Sequence, residues 1–215
     1  YLGSQLAHHG IEAAANLVIR DNPEDIKHFF SEAWKRSDLV ITTGGLGPTT
    51  DDLTRESIAE ALGEELIYDA DIEQAIRQRF QQLERPMPEI NLRQCHRPKN
   101  AKILKNPFGT APGLFLQKEE KILIMLPGPA REMHPMFEEQ VIPRLQSAGV
   151  LPEIDCYLQI RTAGIGESAL AEKVASFLTD IPGLVVGYCA HAGLVDLRLS
   201  SLDSDLLDEK KLLHL

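Results

Sequence analysis

One run of residues constrains this chain more than any other: Thr42-Thr43-Gly44-Gly45-Leu46-Gly47-Pro48-Thr49-Thr50-Asp51-Asp52. Three glycines fall within four positions, after the buried-strand pattern Asp38 to Thr43 and before the helical spacing of Leu53 to Leu62. A glycine turn between a strand and a helix lets the backbone approach an anion closely, because glycine accepts positive φ and successive N–H groups can converge on one point. The N-terminus of the helix that follows adds a favourable potential for phosphate. A strand and a helix must therefore flank this loop, which is the repeating unit of an α/β sheet.

The first two-thirds of the chain continue that alternation and predict an α/β domain, a mostly parallel sheet sandwiched by helices. Tyr1 to Gly10 reads as the end of a helix closed by glycine, and the apolar stretch to Ile19 reads as a strand. Asp21-Asn22-Pro23-Glu24-Asp25 supplies a cap, a first-turn proline and acidic residues where the helix dipole favours them, for a helix running to about Arg36. Asp69 to Glu84 predicts another helix, which stops before Pro86-Met87-Pro88. Residues 86–112 read as loop-rich. Gly113 to Gln117 and Lys121 to Leu126 read as strands joined by the polar turn Lys118-Glu119-Glu120, the second leading through Pro127-Gly128-Pro129 into a helix to about Leu145.

Around Ser147 to Pro152 the texture changes, which predicts two domains, residues 1–147 and 152–215. In the second, Ile154, Cys156, Leu158 and Ile160 alternate with Asp155, Tyr157, Gln159 and Arg161, the pattern of a half-buried strand in an open-faced sheet. Gly166 to Leu178 reads as a helix, and Leu184 to Tyr188 and Val195 to Ser200 read as strands. This is a small α+β unit. Ser201 to Leu215 is acidic and leucine-rich with no evident closing strand, so the unit reads as incomplete.

Composition excludes several function classes. The net charge of −10 opposes binding to a nucleic-acid backbone, which depends on Lys and Arg displacing counterions, and it disfavours anionic membrane surfaces equally. No apolar run approaches the roughly 20 residues that span a bilayer. Cys95, Cys156 and Cys189 lie far apart without a C-x-x-C pair, which fits a reducing cytoplasm. The histidines have no spacing that compels a metal site, and G-x-S-x-G is absent, so covalent catalysis is not expected. A small anionic ligand remains compatible, because local N–H groups and a metal can outweigh a distant field.

Asp51 and Asp52 sit beside the glycine loop, where carboxylates would repel a pyrophosphate unless a cation lies between them. Hard divalent ions are held by one or two carboxylates plus substrate phosphates, so these two residues are the candidate metal ligands and catalytic groups. The alternative is that Asp51 or Asp52 is the N-cap of the following helix. Two further loops belong to the same picture: Asn106-Pro107-Phe108-Gly109-Thr110-Ala111-Pro112-Gly113 and Leu126-Pro127-Gly128-Pro129-Ala130-Arg131-Glu132-Met133. The second of these again runs strand, glycine turn, helix, so the loops could meet at the strand ends, where open α/β sheets bind ligands. Ordinary loop punctuation would place Pro and Gly there as well. The candidate phosphate-binding residues are Thr43, Gly44, Gly45, Gly47 and Thr49 in the first loop. In the others they are Asn106, Gly109, Thr110, Ala111 and Gly113, then Pro127, Gly128 and Arg131.

Thr42 to Thr54, with Asn106 to Gly113 and Leu126 to Met133, closely resembles the CinA (competence/damage-inducible protein) family, whose first domain has the fold of molybdopterin-binding proteins. Tyr1 to Gly10, Asp21 to Ile26 and Arg85 to Asn91 fit that family too, and residues 154–200 resemble its KH-like second domain less sharply. The resemblance implies that Gly44, Gly45, Gly47, Asp52 and Thr54 hold the ligand. It implies hydrolysis of ADP-ribose to AMP and ribose 5-phosphate with a divalent metal (Mg²⁺ or Co²⁺) and potassium. Many relatives carry a further C-terminal nicotinamide mononucleotide deamidase domain, and a non-catalytic molybdopterin- or nucleotide-binding module is the alternative. In the family a strand and a polar, glycine-containing segment precede the position of Tyr1, and Ala130 stands where a proline is common. A KH likeness would suggest RNA, but residues 151–215 hold ten acidic and five basic residues, and Gly164-Ile165-Gly166-Glu167 lacks the G-x-x-G clamp. The second domain is therefore expected to be structural or a homodimer contact.

Overall fold

The computed structural model describes residues 1–9, 11, 13–151, 157–178 and 181–201. They fall into two compact units, Leu17–Arg144, and Tyr1–Asn16 together with Leu145–Leu215.

The chain opens with α1 (Leu2–His8). The strand expected before Ile19 does not form: residues 13–20 belong to no ladder, and Leu17 and Val18 are exposed. An apolar run becomes a strand only where a neighbour takes its N–H and C=O groups, and no described strand does so here. Helix α2 (Pro23–Arg36) starts as its sequence indicates, with Asn22 Oδ1 accepting the N–H groups of Glu24 and Asp25 at 3.0 and 3.1 Å and Pro23 in the first turn. Then follow β1 (Leu39–Thr43), α3 (Thr54–Leu62), β2 (Leu66–Tyr68) and α4 (Ala70–Gln82), the last capped by Asp69. The loop-rich stretch carries short regular pieces: a 3-10 helix over Glu89–Cys95, β3 (His96–Pro98) and β4 (Lys102–Leu104). Elements this short have too few residues to display a periodicity. Strands β5 (Gly113–Lys118) and β6 (Lys121–Leu126) form the hairpin announced by their polar turn. Beyond them α5 (Ala130–Met136), a π segment over Phe137–Val141 and α6 (Ile142–Ser147) make one continuous helical run.

The main sheet has the order β1-β6-β5-β4. Its β1–β6 pairing is parallel, while β6–β5 and β5–β4 are antiparallel, so the described sheet is mixed. A tight hairpin can join only antiparallel neighbours, and that sets the direction of β5. Strand β6 is buried on both faces, as its unbroken apolar sequence requires. Leu114, Leu116, Leu123 and Met125 pack with Ile26, Phe30, Val40 and Ile58 on the side of α2 and α3. The alternate residues Phe115, Ile122, Ile124 and Leu126 are buried on the other face, where α5 crosses close enough that a Cβ on Gly113 would overlap Met136. Each such side chain contributes about 1.5–3 kcal/mol.

In the other unit, β7 (Tyr157–Ala163), α7 (Glu167–Leu178), β8 (Leu184–His191) and β9 (Leu194–Ser201) build an antiparallel sheet of order β7-β9-β8. Its apolar face joins Val195, Leu197 and Leu199 to Leu170 of α7. On its polar face the buried Asp196 accepts from Arg161, Gln159 and His191. The expected start of the first strand at Ile154, Cys156, and the tail after Ser201 lie outside the described residues. Among the described residues no helix is long and apolar enough to cross a membrane.

Candidate functional site

Parallel pairing of β1 with β6 brings Thr43 opposite Leu126, and the ladder runs one step further through Gly44 N–H to Leu126 O at 2.9 Å. The loops leaving the two strands therefore start side by side. They lie close together: a Cβ on Gly128 would come within 3.5 Å of Gly44 Cα. Because β5 runs antiparallel to β6, its first residue Gly113 stands at this same edge, next to Leu104 at the end of β4. The segment Asn106–Gly113 thus joins the two glycine loops at one end of the sheet.

The first loop is held from within. Gly44 and Gly45 have φ of +87° and +66°, a region that only glycine enters freely. Thr54, the first residue of α3, closes the turn by donating its N–H to Gly45 O at 3.1 Å, and a Cβ on Gly45 would overlap its Oγ1. Asp52 is not the helix cap; that position is Leu53, which has no side-chain cap bond. Instead Asp52 Oδ2 accepts the Thr49 N–H at 2.9 Å and the Thr49 hydroxyl, with Asp52 N–H returning to Thr49 O at 3.1 Å. Its carboxylate lies against Gly47, where a Cβ would displace it. Both bonds reach Oδ2, which leaves Oδ1 for another partner. Asp51 is exposed, and its carboxyl is held below the usual range first by the Thr49 side chain, then by a backbone bond and by the nearby Arg93 charge.

Arg93, in the segment expected to be loop-rich, clamps this loop from outside. Its guanidinium donates to Thr49 O, to Asp52 O at 2.8 Å and to Glu56 Oε1 at 3.0 Å. Behind it Gln94, fully buried, donates to Leu46 O at 3.4 Å and accepts from Asn91 at 2.9 Å. The contacts of Arg93 and Gln94 with residues 46–56 span 37–48 residues of sequence, so no local pattern signals them.

The second loop is organised by Asn106. Its Oδ1 accepts the N–H groups of Phe108 and Gly109 at 3.1 and 2.9 Å, and its Nδ2 donates to Ala111 O at 2.7 Å and to Glu132 Oε2 at 2.8 Å. Thr110 lies within this turn. In the third loop Pro127 and Gly128 follow β6 directly, while Arg131 sits in the first turn of α5 with its side chain 79% exposed. Glu132, beside it, is buried.

The residues available to a divalent ion are Asp52, through its unused Oδ1, and the exposed Asp51; among the described residues no group of three or more His, Cys, Asp or Glu side chains converges as a cage. One carboxylate with an open oxygen suits an ion that takes the rest of its ligands from phosphate and water.

Residues 1–147 match the family model described as "Probable molybdopterin binding domain", and residues 159–214 match "Damage-inducible protein CinA KH domain". The chain belongs to the CinA family. It is 45% identical to a CinA-like protein of Nostoc punctiforme over 202 residues, which are 94% of this chain and 48% of that protein. It also resembles the solved structure of the protein CinA, of unknown function, from Thermoplasma acidophilum, with a TM-score of 0.61 and 32% identity over 66% of this chain and 84% of the other. The chain spans about half the length of the curated relatives it matches. A CinA-family chain with a molybdopterin-binding fold therefore presents three loops at one sheet edge, with Asp52 on the first and Glu132 between the other two.

Proposed function

We propose that these loops bind the pyrophosphate of a dinucleotide-like substrate and that the chain hydrolyses it, with ADP-ribose giving AMP and ribose 5-phosphate. The observation that carries this reading is the close approach of Gly44 and Gly128 at the ends of β1 and β6. The Gly44 N–H is taken by Leu126 O, so an anion there would be held by the N–H groups that follow it in the two turns, with no side chain on Gly44, Gly45 or Gly128 to intervene. Water attacks one phosphorus, the bond to the bridging oxygen breaks, and two monophosphates leave, with two protons released when both are dianions. Asp52, fixed by Thr49, orients groups at the attacked phosphorus, and Thr54 keeps the Gly45 turn open to phosphate. A divalent ion held by Asp52 with Asp51 would supply positive charge and a more acidic bound water; potassium is a second cation the family likeness brings.

A non-catalytic binding module is the competing reading, and one observation favours it: both hydrogen bonds to the Asp52 carboxylate are internal to its own loop, as a purely structural carboxylate would have. Incubation of the purified chain with ADP-ribose and Mg²⁺ or Co²⁺ decides between them. The hydrolase reading expects AMP and ribose 5-phosphate in equal amounts. Saturable ADP-ribose binding without AMP would sustain the binding module, and no binding at all would remove both.

A further inference from the structure

Glu132 is a charged group at this edge that the hydrolytic reading does not use. It is 8% exposed, in the first turn of α5, just past the loop that lies close to Gly44. One oxygen, Oε2, accepts Asn106 Nδ2 at 2.8 Å. The other, Oε1, has Arg131 Nε at 3.9 Å, beyond hydrogen-bond distance and on an exposed side chain. An ionised carboxylate offers about four acceptor positions, and a buried one is costly when they go unfilled. Holding Asn106 requires one acceptor and no charge, which a glutamine would provide. The surroundings nevertheless make room for the acid: a Cβ on Gly109 would overlap the Glu132 carboxylate.

A carboxylate beside a pyrophosphate cannot be recognising phosphate, because like charges repel. Beyond Asn106 and the 3.9 Å ion pair with Arg131, any further partner of this carboxylate must be a donor, either a hydroxyl or a cation. Glu132 does not gather with Asp51 and Asp52 into a cage, since no such trio exists among the described residues. The hydroxyls nearest a nucleotide pyrophosphate are those of ribose, and carboxylates bind them at other dinucleotide sites.

We propose that Glu132 accepts a ribose hydroxyl of the bound nucleotide and so restricts the site to pyrophosphates that carry an intact ribose. This rests on the pyrophosphate reading above. The test is calorimetric binding of ADP and ADP-ribose, each against its 2′-deoxy and 3′-deoxy analogues, to wild type, Glu132→Gln and Glu132→Ala. Wild type is expected to prefer the ribonucleotide over one deoxy analogue by about 10- to 100-fold, the range for a hydrogen bond to a charged group. Glu132→Gln should lose most of that preference while its melting temperature stays close to wild type, because the amide oxygen still accepts from Asn106. Glu132→Ala should lose both.

A wild-type ratio near one overturns the inference without any variant. A Glu132→Gln protein that keeps the full preference overturns it as well. Weaker binding of Mg²⁺ alone by Glu132→Gln, with the ribose preference unchanged, would assign the carboxylate to a cation and overturn it in a third way. If wild type binds neither ADP nor ADP-ribose, the pyrophosphate reading itself falls, an outcome distinct from the other three.

Discussion

Asp52→Asn and Asp52→Ala separate the two roles that one carboxylate can fill here. In the loop, Asp52 Oδ2 takes the Thr49 N–H at 2.9 Å and the Thr49 hydroxyl. Asparagine retains an oxygen that accepts both, so the loop geometry survives and the change in stability should stay under about 1 kcal/mol. Alanine removes both bonds. Hydrogen bonds to a charged group contribute about 1.5–3 kcal/mol when buried, and water replaces part of that at this half-exposed loop, so alanine should cost about 1–2 kcal/mol. For a domain of this size that lowers the melting temperature by about 3–8 °C. Turnover should separate the variants in another way: if the charge positions a metal or offsets developing charge, Asp52→Asn falls on the order of 100-fold or more despite its intact fold. AMP release from ADP-ribose, followed chromatographically beside thermal unfolding, reads both quantities on one preparation. An Asp52→Asn protein with wild-type turnover would remove Asp52 from the chemistry and transfer the role to Asp51.

Arg93→Lys keeps the charge but replaces three directed N–H edges by one ammonium, so it should lose about 1–2 kcal/mol and turn over about 10-fold more slowly; wild-type behaviour in both assays would show that the clamp on Thr49, Asp52 and Glu56 is incidental. Gly109→Ala forces a Cβ into the Glu132 carboxylate and should destabilise by about 1–3 kcal/mol, and adding Glu132→Ala should recover part of that loss; strict additivity in thermal unfolding would mean the two positions do not meet. Asp196 is held down to about 2, first by its hydrogen bond to Arg161 and then by His191. A carboxyl with a lowered folded pKa stabilises above its unfolded value and loses that contribution as pH falls through the folded one. The C-terminal sheet should therefore weaken between about pH 4 and pH 2, and Asp196→Asn, weaker at neutral pH, should show a smaller further drop over that window in far-ultraviolet circular dichroism; an unchanged drop would count against the assignment.

What could be read from the sequence alone divides along the range of the interactions concerned. Asn22 and Asp69 cap helices through bonds to N–H groups two and three residues away, and such contacts leave a mark in any short window. The β5–β6 hairpin and the glycine turn at 44–47 are local in the same way. Asp52 marks the limit of that logic. An aspartate just before a helical pattern satisfies the cap rule, but the same side chain can bond back to Thr49 instead, and the helix then begins two residues later at Thr54. Only the surroundings decide between these local bonds, and here Arg93 does so from 41 residues away by taking Asp52 O. The mixed direction of the sheet and the missing strand before Ile19 have the same origin, because a strand is defined by its partner and not by its own residues. The three loops could be named one by one from glycine and proline. Their meeting at one edge follows from the register of Thr43 with Leu126 and of Leu104 with Gly113, which no single segment encodes. Glu132 was visible as a letter in the third loop, but its burial against Gly109 and Asn106 is a property of two loops brought together. Two loops enclose this carboxylate, and its one side-chain hydrogen bond, from Asn106, crosses between them.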